Sequence, residues 1–457
     1  MRIICQLSAF VLLGLVGYTM LTINHDLILP LLNSLGQPIF NSIKTGNVEA
    51  VAEQYAAMEK RGVYDFSTGL TPLLTAIQWG RVEVIQSLIT SGADFNEPKT
   101  DGRWPPMHMA ASKGRIDIME MLVKAGAQIH ARDSRGYSPL HCAAMGIDQQ
   151  ATVYLLAAGL QVDAVDSLGR TPLHYAADFG NHAIAEALIG HGASINIKDK
   201  EGCTPWHFAA RVKSIGLGIF GNSGQEFNLD DTDNYGRTPL HYAALSGNPG
   251  PMKSFIENDA DLNIKDKNQR TPLHYAARVG IAGVKLLLKA GRTLDIHARD
   301  EDGCTALQYA AHRGHVKAIQ MLIEHGADVT ITDNSGGGLL HHAVHGNVRS
   351  IQYLLSPELN LAVDVNAKDN NGCTPFYIAF KTGRKSIIAC LLDHINGTEK
   401  TFQNMSDTAD LAMVYAKDVW NKRFNTMAIM LLGSVTAYAG GLSVLNLCRS
   451  LLSSRND

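Results

Sequence analysis

Residues 171–177 read Thr-Pro-Leu-His-Tyr-Ala-Ala, and the same seven residues return at 238–244 and 271–277. Related copies fill the intervals, so that the position of the first threonine recurs ten times, mostly 33 or 34 residues apart. The ten positions are 71, 105, 138, 171, 204, 238, 271, 305, 338 and 374. Self-similarity at a fixed period of this length indicates stacked supersecondary units, each of which buries its apolar face against its neighbours.

The fourth copy shows what each position is suited to. Thr171 is predicted to cap a short helix, since its hydroxyl can accept from free amide groups of the first turn, and Pro172 suits the first helical position. Gly180 is predicted to end that helix in a left-handed conformation. Apolar residues at helical spacing predict a second helix from Ala183 to Ile189, followed by a protruding loop from Asn196 to Gly202.

A period near 33 residues that carries Thr-Pro-Leu-His-x-Ala resembles the ankyrin-repeat family, over roughly residues 37–400. The resemblance implies an all-α repeat solenoid: an ankyrin array of helix-turn-helix units with protruding β-hairpin-like loops, here with terminal apolar helices. It implies an N-terminal capping repeat at 37–66 and ten repeats at 67–400. The fifth, at about 200–231, is degenerate because it has no Leu-Leu pair. The motif histidine is expected to hydrogen-bond within and between repeats.

The two ends of the chain differ from the array. Residues 3–23 contain no charged side chain and are long enough, as a helix, to span a hydrocarbon core of about 30 Å. We predict an uncleaved membrane anchor there, with a removable secretory signal as the alternative. Residues 426–448 are also uncharged and predict a transmembrane helix, with a buried soluble helix as the alternative. Residues 406–424 predict an amphipathic helix between the array and this segment.

Small residues in the C-terminal segment point to helix packing within a membrane. Gly433, Ala437 and Gly441 recur every four residues and therefore share one helix face. Small residues at this spacing let transmembrane helices approach closely. If both apolar segments span the bilayer, the repeats lie on one side of it.

The cysteines bear on which side that is. The chain has seven, and Cys203, Cys304 and Cys373 occupy the same position in repeats that are not adjacent. Repeats so placed stand farther apart than the ~7 Å that a disulfide can span. Unpaired thiols favour a reducing compartment, and Lys417, Lys422 and Arg423 favour a cytosolic repeat side, so we predict that the repeats face the cytosol. The opposite orientation, which Arg2 and the amino terminus favour, is the alternative.

Composition and motifs exclude several classes of function. A net charge of −3 gives no reason to expect a nucleic-acid partner. No catalytic triad order, phosphate-binding loop or zinc-protease motif occurs, and too little chain lies outside the array for a catalytic domain, so we expect no enzyme, cofactor or small-molecule substrate. His342 and His345 have ligand-like spacing, but no cysteine or carboxylate nearby in the sequence completes a set. No metal is therefore expected.

Candidate partner-binding residues come from two positions of the motif. The resemblance implies that loop tips and short-helix edges line a concave groove, and aromatic and arginine side chains dominate interface energetics. The first set, after the Ala-Ala pair, comprises Trp79, Lys113, Phe179, Arg211, Arg278, His312 and Arg313. The second set, between His and Ala-Ala, comprises Tyr175, Phe208, Tyr242, Tyr275 and Tyr309. For the second set, packing between repeats is the alternative interpretation.

Together these features predict a membrane-anchored scaffold for protein–protein interaction, whose concave face binds a protein partner of unknown identity. The lipid bilayer is the other expected partner. One alternative is a self-associating membrane protein, assembled through its C-terminal small-residue helix and regulated by the repeats. A second alternative is a bacterial effector delivered to a host cell. The array with its apolar ends resembles proteins that intracellular bacteria deliver into host cells.

Overall fold

The computed structural model describes residues 38–57, 70–96, 104–212, 224–226 and 228–397. The predicted apolar segments at 3–23 and 426–448, with Gly433, Ala437 and Gly441, lie outside these residues, as does the predicted amphipathic helix at 406–424. No helix among the described residues is long and apolar enough to cross a membrane.

The described residues form helices joined by turns, with no strand among them. Residues 38–45 are helical and Val48–Ala57 follows as a second helix. The first helices of the ten repeats are Pro72–Gln78, Pro106–Ser112, Pro139–Met145, Pro172–Phe179, Pro205–Ala209, Pro239–Ser246, Pro272–Val279, Ala306–Arg313, Leu339–Ala343 and Pro375–Lys381. The second helices are Val82–Thr90, Ile116–Lys124, Gln149–Ala157, His182–Gly190, Pro249–Glu257, Ile281–Leu288, Val316–Glu324, Val348–Leu354 and Lys385–Gly397. A short 3₁₀ turn, Pro357–Leu359, precedes the last repeat.

The fifth repeat retains its first helix, Pro205–Ala209. The place where its second helix would fall, at 213–223, lies outside the described residues, and its degeneracy stays a prediction. In the fourth repeat the predicted boundaries are confirmed: Thr171 is the N-cap and Pro172 the first helical residue. Gly180 ends the helix at a φ of 72°, in the left-handed region that favours glycine.

The chain divides into two compact halves, Met1–Lys200 and Glu201–Asp457. Within each half, first helices pack against the first helices of the next repeat, and second helices against second helices. The small side chains of the motif lie at these contacts. Ala176 and Ala177 in one half, and Ala276 and Ala277 in the other, are buried, which lets neighbouring helices approach closely.

The loops between repeats are hairpin-like turns that stack on one another. In the loop that precedes Thr171, Asp166 Oδ1 accepts from the backbone N–H groups of Leu168 and Arg170. The N–H of Ser167, at the tip, donates to the carbonyl of Arg135 in the preceding loop at 2.9 Å. Backbone hydrogen bonds therefore join successive loop tips without forming a regular strand.

The motif histidine, where it is present, bonds within its own repeat through Nδ1 and to the next repeat through Nε2. His241 Nδ1 accepts the backbone N–H of Thr238 at 3.0 Å, and its Nε2 donates to the carbonyl of Arg270, 3.0 Å away in the following repeat. This pair of contacts requires the neutral ring with its proton on Nε2. The expectation of bonds within and between repeats is confirmed. Equivalent bonds to the next repeat run from His108 to Tyr137, His141 to Arg170, His207 to Arg237, His274 to Cys304, and His341 to Cys373.

Two repeats depart from this arrangement in informative ways. In the eighth repeat the position is Gln308, whose Oε1 accepts from Thr305 N–H at 2.8 Å and whose Nε2 donates to the Gly337 carbonyl at 3.3 Å. An amide thus makes the same two connections as the imidazole. In the second repeat Pro105 has no N–H to offer, and His108 Nδ1 has no hydrogen-bond partner among the described residues.

We expect His241→Ala to destabilise the C-terminal half by about 2–4 kcal/mol, because it leaves the buried Thr238 N–H and the partly buried Arg270 carbonyl without their partner. His241→Gln is the matched variant, since Gln308 shows that an amide can make both bonds. It should lose less than about 1 kcal/mol. Urea unfolding measures both. Equal losses in the two variants would contradict the bridging role.

Stability should also depend on pH through these histidines. Burial lowers the pKa of His141 and of His241 to about 4 in the folded chain, whereas an exposed histidine titrates near 6.5. Between those values the unfolded chain binds more protons, so acidification lowers the free energy of unfolding below about pH 6.5, with the loss complete near pH 4. Each pKa unit is worth about 1.4 kcal/mol.

Urea midpoints measured from pH 7.5 to 4 test this dependence. His241→Gln should show a smaller loss than the unmodified chain, because the amide does not titrate in this range. A midpoint that stays constant between pH 7 and pH 5 would contradict the buried neutral rings.

Candidate partner-binding surface

The ends of the first helices in the N-terminal half carry exposed side chains. Trp79 and Lys113 are the C-cap residues of their helices, and Phe179 is the last residue of its helix. At these positions the chain leaves the alanine-rich contact between repeats, so the side chains point away from the core. Trp79 is 52% exposed and Phe179 is 55% exposed, while Lys113 is also exposed. Large aromatic side chains this exposed on rigid helices are typical of binding surfaces.

In the C-terminal half the same position is more basic. Arg278 and Arg313 are exposed in the last turns of their helices. Val279 and Leu245 add exposed apolar surface at equivalent sites. The remaining predicted members, Arg211 and His312, are exposed as well. This surface therefore combines positive charge with apolar contacts.

The second predicted set lies largely inside the stack. Tyr175, Phe208 and Tyr275 are 5–8% exposed, and Tyr242 and Tyr309 are half-buried. Little of these rings is available to a partner in the folded chain.

Each tyrosine of this set also makes specific contacts within the stack. The Tyr275 hydroxyl donates to Asp266 Oδ2 at 2.6 Å, and its ring meets the His241 ring edge to face at 5.6 Å. Burial raises the pKa of Tyr275 to about 12, so the phenol stays a neutral donor. These are the contacts of the packing alternative, and partner binding by these rings stays a prediction.

Sequence reasoning missed the acceptor of these bonds. An aspartate stands five residues before the motif threonine in most repeats. This regular spacing was the one feature of the sequence that could have indicated its role. Its Oδ1 holds the loop and its Oδ2 accepts from the tyrosine. The tyrosine–aspartate pairs are Tyr175 with Asp166, Tyr242 with Asp233, Tyr275 with Asp266, and Tyr309 with Asp300, at 2.6–2.8 Å.

The third and ninth repeats have another residue in place of the tyrosine, with different results for the aspartate. In the third repeat the tyrosine position is Cys142, and Asp133 Oδ2 is buried with no hydrogen-bond partner within the described part of the chain. In the ninth repeat it is His342, whose Nε2 donates to Asp333 Oδ2 at 2.9 Å.

His342 also lies 3.9 Å from the Cys304 sulfur. The donor atoms of Cys304, Asp333 and His342 all lie within 4.8 Å of one another, a grouping with the residue types of a metal site. The sequence predicted no such set, because Cys304 and His342 are 38 residues apart and become neighbours only when their repeats stack.

Models of known protein families match most of the repeat array. Family models described as "Ankyrin repeats (3 copies)" match residues 148–217, 212–300 and 283–369. Models described as "Ankyrin repeats (many copies)" match residues 73–123 and 107–146. The matches together cover most of the described array.

Individual relatives share part of the array. Human "Transient receptor potential cation channel subfamily A member 1" is 31% identical over 132 residues, which are 28% of this chain and 12% of that protein. "Neurogenic locus notch homolog protein 1" of Xenopus tropicalis is 32% identical over 151 residues, 33% of this chain and 6% of that protein. The chain thus spans only a small part of the length of these relatives.

Ankyrin repeats imply a role in protein–protein interaction, and the family is typically a non-enzymatic interaction module. The profile matches extend over more than half of the chain, and within each of the two halves the described helices follow the motif. This chain belongs to the ankyrin-repeat family.

Proposed function

We propose that the protein is a membrane-anchored scaffold whose repeats bind a protein partner at the exposed ends of their first helices. The observation that carries the proposal is the exposure of Trp79 and Phe179 on helices whose other faces are buried. The concave face predicted from the sequence is the surface that these ends would line. Apolar segments at 3–23 and 426–448 would hold the scaffold to a bilayer.

The energetics favour such a surface. Fully burying one large apolar side chain contributes about 1.5–3 kcal/mol. The cost of ordering Phe179 on binding is small, because its helix packs through the buried Ala176 and Ala177. A few such side chains on a preorganised surface account for most of the affinity in many interfaces.

Charge suggests the chemistry of the partner at the C-terminal half. Arg278 directly precedes exposed Val279, and Arg313 is exposed at the end of the first helix of the next repeat, so an acidic segment with apolar side chains would complement this surface. Arginine forms paired hydrogen bonds with carboxylates, which adds geometric selectivity to the attraction.

Substitution of the exposed aromatic residue should separate binding from folding. We expect Phe179→Ala to weaken partner binding at least about tenfold, a loss of about 1.4 kcal/mol, without lowering the melting temperature. Val123→Ala is the matched control, because Val123 is also an exposed apolar residue but lies on a second helix.

Partners are captured from a lysate with the unmodified chain, identified by mass spectrometry and then titrated against both variants. Arg278→Ala tests the C-terminal half in the same way. Unchanged affinity in Phe179→Ala and Arg278→Ala would contradict the proposed surface. Loss of fold together with binding would support a packing role instead.

Membrane anchoring has its own test. We expect the full chain to stay in the membrane pellet after carbonate extraction, because the apolar segments would remain in the hydrocarbon core. A variant that lacks residues 3–23 and 426–448 should be released. A tag in the loop near Asn268 should be open to protease from the cytosolic side. Release of the full chain by carbonate would contradict anchoring.

Self-association through the C-terminal segment is a second candidate, favoured by the spacing of Gly433, Ala437 and Gly441. The test compares Gly433→Leu, which would block close helix approach, with Val435→Leu, which changes a residue outside the small-residue spacing. Loss of cross-linked oligomers in the first variant alone would support this candidate, and oligomers in both would contradict it.

A further inference from the structure

Three potential metal ligands meet where the eighth and ninth repeats stack. Cys304 directly precedes Thr305, the N-cap of the first helix of the eighth repeat. Asp333 lies in the following loop, and His342 is in the helix Leu339–Ala343. His342 Nε2 is 2.9 Å from Asp333 Oδ2 and 3.9 Å from Cys304 Sγ. All three donor atoms lie within 4.8 Å of one another.

The first reason for this grouping is a missing arginine. In the seventh repeat, Arg270 stands directly before the motif threonine and its Nε lies 3.5 Å from Asp300 of the next repeat. Cys304 occupies the equivalent position one repeat later, facing Asp333. A thiol thus replaces the cation that compensates the equivalent aspartate elsewhere.

The second reason is a missing tyrosine. In the eighth repeat the Tyr309 hydroxyl donates to Asp300 at 2.7 Å. In the ninth repeat His342 stands in the tyrosine position and donates to Asp333 instead. An imidazole nitrogen is a good ligand for a transition metal, whereas a neutral phenol is a poor one.

Asp333 carries a negative charge at neutral pH. Burial raises its pKa, but hydrogen bonds from Ser335, Gly337 and His342 outweigh that effect, and the net pKa lies below its usual range. Its Oδ1 is held by the backbone N–H groups of Ser335 and Gly337, which leaves Oδ2 for the neighbouring side chains. Within the described ranges its ion-pair partner is His342, with no guanidinium.

We propose that Cys304, Asp333 and His342 bind a divalent metal ion of the zinc class. Sulfur, nitrogen and carboxylate oxygen donors suit Zn²⁺, and tetrahedral coordination separates them by roughly 3–4 Å. The observed distances are close to this range, so small side-chain rotations suffice. The His342 and Asp333 side chains are 17% and 11% exposed, which leaves the fourth position to solvent. The ion would supply the positive charge that Arg270 supplies at Asp300.

Binding would be coupled to proton release. The thiolate is the ligand form of cysteine, and burial together with Asp300 and Asp333 raises the pKa of Cys304 to about 12 in the metal-free chain. The ion must therefore displace the thiol proton. His342 must also carry its proton on Nδ1 so that Nε2 is free to bind, and affinity should rise with pH.

Two other histidine rings lie near this site, and neither carries a positive charge that would repel a bound cation. The rings of His312 and His345 lie 5.0 Å apart, and the His312 ring is 6.4 Å from that of His342. Burial lowers the pKa of His312 and of His345, with their mutual proximity lowering that of His312 further, so both rings are neutral at pH 7. Arg384 is near but directs its guanidinium to the carbonyl oxygens of His345 and Gly346.

An internal comparison comes from the stack of the fifth and sixth repeats. There Cys203 Sγ is 3.5 Å from the Tyr242 hydroxyl, which donates to Asp233 at 2.8 Å. Arg237 also pairs with Asp233, at 2.7 Å. The same two positions thus hold a thiol and an aspartate, but with a phenol and a guanidinium in place of the imidazole. At the equivalent position of the sixth repeat a tyrosine thus lies between a thiol and an aspartate, which makes His342→Tyr a suitable substitution.

The test uses the full chain, reduced and stripped of metal, titrated with Co²⁺ as a spectroscopic probe. We expect a sulfur-to-cobalt charge-transfer band that saturates at one equivalent and is displaced by Zn²⁺. Cys304→Ser and His342→Tyr should each lower the affinity at least about tenfold. Cys203→Ser is the matched control and should keep the band, because its thiol lies beside Tyr242.

Stability provides a second readout. Zn²⁺ should raise the melting temperature of the unmodified chain and of Cys203→Ser, but not of His342→Tyr, since only a folded site holds the ion. Circular dichroism confirms that the variants fold. The proposal is overturned if the unmodified chain gives no band, or if the band persists with the same affinity in Cys304→Ser. Partner binding at the helix ends does not depend on this result.

Discussion

The neutral imidazole between two repeats is the interaction on which the rest of the structure depends. In His241 one ring nitrogen satisfies the amide that begins its own helix, and the other satisfies a carbonyl in the next repeat. The amide is buried and the carbonyl is partly buried, so each bond avoids the cost of an unpaired polar group. Repetition of this contact holds the helices and loops of successive repeats in register.

The aspartate–tyrosine pairs form a second set of connections beside the first. Asp266 fixes its own loop through the N–H groups of Asn268 and Arg270, and it accepts from Tyr275 of the same repeat. Because the Tyr275 ring also packs on His241 of the preceding repeat, the two sets share one aromatic contact. The ends of the first helices lie beyond these contacts, and their side chains can vary without disturbing the frame.

Local chemistry explains why so much of the fold could be predicted. The start of one helix is set by Thr171 and Pro172, and its end by Gly180, all within ten residues of chain. The motif repeats these residue types along the sequence, so most helix boundaries can be predicted. Exposure of Trp79 and Phe179 followed from their position after the Ala-Ala pair. The role of the aspartates was not predicted, because their partners become neighbours only when the loop folds back on the helix. The grouping of Cys304 with His342 was missed for a related reason, since a whole repeat separates them and they meet only when adjacent repeats stack.

The protonation state of the bridging histidine tests the account most directly. Two-dimensional ¹H–¹⁵N spectra of the histidine rings in the full chain, assigned to His241 with the His241→Gln variant, report which nitrogen carries the proton. The account predicts a neutral ring with the proton on Nε2 at pH 7, unchanged on acidification to pH 5. A ring protonated on Nδ1, or a charged ring at pH 6, would contradict it.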